Sequence, residues 1–320
     1  MRDTVVLVTK IAAMFLVMLI GYAARRRGRV DASTTARLGS LTSDVCLPAL
    51  TFAQLLATVD ADRLRAAWIV PLLGAGVILL GLGAGKLLAR VFATPAEAPT
   101  FAFLTAMANW IYLPLPIVQA IHGSAGVEAL LLANVGAQLV LWTAGVATLR
   151  GGRLDAAGLR ALLGNPGLIA AAAGILGALS LPRDAGALAY PGRVILEAIT
   201  IIGSLTIPLS LLVTGAQLGA ASLELRPSRA TVGVVLVRLL AVPLIVLALI
   251  FLAARAGLPL PHLPITITLL VAAMPVAVSC SILTARYGQD TRLASQGIFH
   301  STVWSVLSVP AMMWILHRMI

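Results

Sequence analysis

The stretch Pro264–Gly288 (PITITLLVAAMPVAVSCSILTARYG) is long and apolar enough to cross a bilayer as a helix. Pro275 nevertheless sits in its middle, followed by Ser279, Cys280 and Ser281. Proline has no N–H and its ring collides with the carbonyl one turn back, so a continuous helix breaks here. In lipid, freed backbone groups persist only where protein buries them or a water-filled cavity solvates them. Two outcomes are open: an idle packed kink, or a broken crossing whose freed groups and small polar side chains meet a ligand. On the second, Pro275, Ser279 and Cys280 are candidate substrate-binding residues.

The rest of the chain sets this stretch among others like it. Hydrophobic residues make up 60% and charged residues 11%, with a mean hydropathy of +1.00. A soluble domain carries about 25% charged residues. Apolar segments of bilayer length recur at Val5–Ala24, Arg37–Thr58, Ala66–Ala89, Pro99–Ile121 and Val127–Leu149. They recur again at Pro166–Leu181, Val194–Gly219, Ala230–Ala254, Pro264–Gly288 and Leu293–His317. The expectation is an all-α integral membrane protein with ten transmembrane helices. Asn165-Pro166 reads as a helix cap followed by a first-turn proline, and GLGAG at Gly81–Gly85 has the spacing of a helix-packing motif.

The net charge of +11 lies mostly between apolar runs, so it reads as topology and lipid contact, and no basic–aromatic interleaving points to nucleic acid. Arg25, Arg26, Arg27 and Arg29 follow the first apolar core instead of preceding it. That placement predicts a retained first span with its N-terminus outside. Continued through ten spans, it puts both termini on the non-cytoplasmic side of a cell (inner) membrane. Cys46 and Cys280 lie within apolar segments and have no metal-ligand spacing.

Spans one to five and six to ten share a rhythm. Each half has a second span with proline in a polar run, a fourth broken near its middle by proline, and a fifth with polar residues and tryptophan. Five is odd, so the second half inserts upside down. The expectation is an inverted five-plus-five repeat, residues 1–149 and 165–320, joined by a cytoplasmic linker at 150–164, with helices four and nine as broken crossovers. Inverted repeats with interrupted helices in matching places point to a secondary transporter with its site at the midplane.

The polar residues at depth are few. Acids lie in loops or at span ends except Asp44, which disfavours an enzyme; no cofactor or metal is expected. Asp44 is either a proton or cation site or an interfacial cap. Arg238, inside the eighth span, either neutralises an anionic substrate or, as is commoner, snorkels or pairs with a carbonyl. Asn109 precedes Leu113, Pro114 and Pro116 in the first broken crossing. Its amide could hold a carboxylate beside the freed N–H groups of a half-helix, or make an interhelical hydrogen bond. Asn134 and Gln138 share a helix face and either line the cavity or join helices. An imidazole ordinarily titrates near neutrality, which makes His300 a candidate for proton coupling.

The run MPVAVSCSILTARYGQDTRLASQGIFHSTVWSVLSVPAM resembles the end of the auxin efflux carrier family, most sharply at Tyr287–Ser295. NWIYLPLPIVQAIHGSAGVEALLLANVGAQLVLWTAGV is similar to its fourth and fifth spans. The resemblance implies the inverted fold, a scaffold domain, and a second domain that carries a small organic anion such as auxin, malonate or malate by elevator-type movement. It makes Asn109 the crossover asparagine, with Ala108 and Trp110 where relatives often have glycine, and Ser279 where they often have asparagine. A homodimer and proton or sodium coupling remain open. The alternatives are a sodium-coupled carrier of the bile-acid-symporter type and a non-transporting membrane protein.

Overall fold

In a computed structural model the described residues are 13, 16–152, 156–180, 190–220, 226–258 and 261–319. They are helical throughout, apart from turns and one isolated β-bridge. Five helical stretches are long and apolar enough to cross a membrane: Ala32–Thr58, Ile69–Phe92, Pro114–Leu149, Gly192–Gly219 and Arg229–Arg255. Two shorter apolar helices are Pro166–Ser180 and His262–Ala272. The remaining expected spans are of other kinds. The fourth and ninth are each divided into short pieces, the tenth is the long helix Thr291–Met319, and the start of the first lies outside the described residues.

Several boundaries shift for local reasons. The second span starts earlier than expected, at Ala32, because Asp31 caps it by accepting from the Thr34 N–H at 2.6 Å. Asn165 does act as a cap: its Oδ1 accepts from the Leu168 N–H at 3.0 Å, with Pro166 as the first helical residue. The seventh span is interrupted at Leu205, between Tyr190–Ser204 and Thr206–Ala220. The second piece of the fourth span and most of the fifth form one helical stretch, Pro114–Val140, bent at Gly123, whose φ is 58° and ψ −145°. Only glycine takes that conformation without strain.

The chain forms two compact units, and neither coincides with a sequence half. The first comprises Met1–Ile69, Ile111–Val135 and Leu163–Ala220. Within it, helix Leu47–Thr58 packs on Pro166–Ser180 and Tyr190–Ser204, and Ala32–Leu41 packs on Thr206–Ala220. The second comprises Val70–Trp110, Gly136–Leu162 and Ala221–Ile320. Its centre is two short helices, Ala98–Ala106 and His262–Ala272, in which Thr100 to Ala106 and Ile265 to Ala272 are all buried. A helix that is apolar on every side has to be surrounded by protein. The Gly81–Gly85 spacing provides part of that enclosure. A Cβ on Gly81 would lie 2.6 Å from the Ala106 Cα, and one on Gly85 would lie 2.8 Å from the Ala102 Cα. The glycines therefore let helix Ile69–Phe92 approach the short helix backbone to backbone.

Candidate functional site

The site is built from two helix ends. Helix Ala98–Ala106 stops at Met107, whose φ of −86° and ψ of 90° extend the chain. Helix His262–Ala272 stops at Ala273, two residues before Pro275, because the proline ring excludes helix behind it. The two extended pieces then pair antiparallel, with Ala108 opposite Val276. The Asn109 N–H donates to the Pro275 carbonyl at 2.8 Å, and the Ala277 N–H donates to the Met107 carbonyl at 2.9 Å. These bonds flank the Ala108–Val276 pair, which is thus a non-hydrogen-bonded pair with its side chains close together. The Val276 N–H, freed by the break, donates to Ser301 Oγ at 3.1 Å.

Arg238 closes the two helix ends. It lies in a π-helical turn, Val237–Ala241, and is fully buried. Its Nε–H donates to the Met274 carbonyl at 3.0 Å. One terminal nitrogen donates to Thr105 at 3.0 Å and Ala106 at 3.4 Å. The other donates to Val271 at 3.3 Å and to Ala272. A guanidinium has five N–H donors, and here they meet five carbonyls drawn from the ends of both short helices. Each helix C-terminus carries about half a negative charge, so one guanidinium offsets the pair. Of the two readings of Arg238, carbonyl pairing is the one observed. No carboxylate pairs with it among the described residues.

The other sequence candidates divide between the units. Asn109 is buried at the crossing, beside the equally buried Pro275. Ser279 is exposed, and Cys280 is buried at the start of the short helix Cys280–Arg286. These four share the second unit with Gln138 and His300. The Gln138 Oε1 is buried and finds no donor among the described residues. His300 is half-buried, its ring edge-on to Phe299 at 5.3 Å. Leu113, Pro114, Pro116, Asn134 and Asp44 belong to the first unit. Pro114 and Pro116 do not break a helix; Pro114 begins one, where its missing N–H costs nothing. Asp44 is exposed, within a π-helical turn at Thr42–Cys46.

Sequence reasoning missed two partners. Ser301, next to His300 on the tenth span, holds the Val276 N–H. Tyr112, in the first unit, shares a 2.7 Å hydrogen bond with Ser43 and donates to the Gly39 carbonyl at 3.3 Å. Its position between a candidate asparagine and a proline pair was the available signal. The sharpest family-like run also has a structural role: Gln289 donates to the Leu149 carbonyl at 2.7 Å, and Asp290 caps helix Thr291–Met319 through the Leu293 N–H at 2.8 Å.

Helices of membrane-crossing length, together with two interrupted helices paired through their backbones, define a multi-pass membrane protein whose helices are broken by design. The chain belongs to the auxin efflux carrier family of membrane transport proteins: the family described as "Membrane transport protein" matches residues 6–158 and 154–313. No curated protein matches the chain.

Proposed function

We propose that this membrane transporter is a secondary carrier of a small organic anion, taken up where the two interrupted segments cross. The observation that carries the reading is the antiparallel pair at Ala108 and Val276, with Arg238 on the two helix ends behind it. Broken helices in matching places are how inverted-repeat carriers build substrate sites, and an antiparallel meeting of equivalent segments is the local symmetry that an inverted repeat creates. Because Arg238 offsets both negative helix ends, the crossing does not repel an anion. Asn109 adds amide donors suited to carboxylate oxygens.

On this reading residues 1–149 and 165–320 are the two repeats of a ten-helix fold, with 150–164 the cytoplasmic linker. One domain is a scaffold and the other carries the substrate in an elevator-type movement in the inner membrane, both termini lying on the non-cytoplasmic side. Pro275, Ser279, Cys280, Leu113, Pro114, Pro116, Asn134 and Gln138 contribute to the substrate path. Asp44 and His300 are the coupling candidates.

The test is flux in proteoliposomes, using malonate, malate and indole-3-acetate with imposed proton or sodium gradients. Saturable carboxylate flux that is lost in Asn109→Ala at unchanged protein yield supports the reading. Flux confined to neutral or cationic solutes would overturn it. A strict sodium requirement would move the protein toward the bile-acid-symporter type.

A further inference from the structure

Trp110 follows Asn109 at the crossing and is only 9% exposed. Its indole N–H is buried and has no hydrogen-bond acceptor among the described residues. Buried donors are almost always paired, and one that is not needs a reason. The carbonyls at the two helix ends already take other donors. Arg238 occupies the Thr105, Ala106, Val271, Ala272 and Met274 carbonyls. The Ala277 N–H occupies Met107, and the Asn109 N–H occupies Pro275. Each of these seven carbonyls already takes a donor, whereas the indole N–H takes no acceptor among the described residues.

We infer that the Trp110 indole N–H is a specificity-determining donor that hydrogen-bonds a carboxylate oxygen of the transported anion. The inference rests on the organic-anion reading above and extends it to a residue that the motif comparison marks only as a departure. An indole offers one donor and no acceptor, and an ionised carboxylate offers acceptors and no donor, so the two are complementary. A neutral alcohol or amide of the same shape would meet the N–H less strongly, because hydrogen bonds to charged groups are the stronger kind. The ring also fills the space that a glycine would leave open, so the same side chain limits substrate size and reads its charge.

The experiment replaces Trp110 by 3-benzothienylalanine, which keeps the bicyclic ring and exchanges N–H for sulfur, with Trp110→Phe as a second variant. Binding of malonate and of indole-3-acetate to the full-length protein in nanodiscs is measured by calorimetry, alongside thermal unfolding without ligand. The expected result is a loss of carboxylate affinity of about tenfold or more in the benzothienyl variant, with ligand-free stability equal to or above that of the unmodified protein. Trp110→Phe should lose affinity to a similar extent. Unchanged affinity in the benzothienyl variant overturns the Trp110 assignment alone. So does a clear loss of its ligand-free stability, because that places a protein partner on the N–H. An unmodified protein that binds neither carboxylate overturns the organic-anion reading and this inference with it.

Discussion

The two breaks in the second unit share a backbone frame and differ in what they present. Both short helices end in extended chain, both lend carbonyls to Arg238, and each gives one N–H to the other. At the first break the side chains are Asn109 and Trp110, polar-tipped, large and buried. At the second they are Pro275, Val276 and Ala277, which offer no polar side-chain group, and the freed Val276 N–H is satisfied from outside by Ser301. The matching Ala108 N–H instead turns back to the Ala106 carbonyl at 3.1 Å. The frame is thus shared and the chemistry is one-sided: the second break supplies geometry, and the first supplies donors.

The comparison can be broken at its common point. Arg238→Met takes the shared donor from five buried carbonyls, of which Ala106 and Val271 keep the Ala108 and Met274 N–H groups. Unsatisfied buried groups cost about 1–3 kcal/mol each, so even with partial relaxation a loss of more than about 3 kcal/mol is expected, seen as a collapse in yield of monodisperse protein or in melting temperature. Arg238→Lys keeps the charge with fewer donors and should fall in between. A smaller and lopsided effect is expected from Gly81→Val. The added side chain would push against Ala106 behind the first break only, at about 1–3 kcal/mol. Hydrogen exchange should then rise around Met107 to Asn109 more than at the helix end before Pro275.

Ser301→Ala addresses the second break. It leaves the Val276 N–H unpaired, for about 1–2 kcal/mol by thermal unfolding, and should leave carboxylate binding within a few-fold, because the donors lie on the other side. A large loss of affinity there would contradict the one-sided division. The smallest effect is expected away from both breaks, at Asp31. Its hydrogen bonds with Thr34 hold its carboxyl below the usual carboxylate range. The cap's contribution is therefore complete above the ordinary carboxylate pKa and is lost as pH falls through the lowered one. Asp31→Ala should therefore be slightly less stable than the unmodified protein near neutrality, and the difference should vanish as an acid titration passes down through that window.

How much of this could be read in the residues follows from how local each cause is. The break at Pro275 was legible, because proline acts on its own turn. The cap at Asn165 was legible for the same reason, and the Gly81–Gly85 spacing showed where a helix could come close. Pro114 and Pro116 marked the right region but suggested the wrong event: the helix has already ended at Ala106, and the prolines begin the next one. The five-carbonyl role of Arg238 was only half legible, since its acceptors lie far along the chain from it. Ser301 and the Ala108–Val276 register were not legible for the same reason. The two compact units were hidden too, because each gathers segments from both sequence halves.

The central claim is that the interrupted segments cross antiparallel with Ala108 facing Val276. It is tested most directly by disulfide formation in protein whose Cys46 and Cys280 are replaced by alanine. A non-hydrogen-bonded antiparallel pair holds its Cα atoms about 4.5 Å apart, within disulfide range. The account predicts rapid, near-complete cross-linking of Ala108→Cys with Val276→Cys and little with Val278→Cys. Cross-linking at 278 in preference to 276, or at neither, would contradict it.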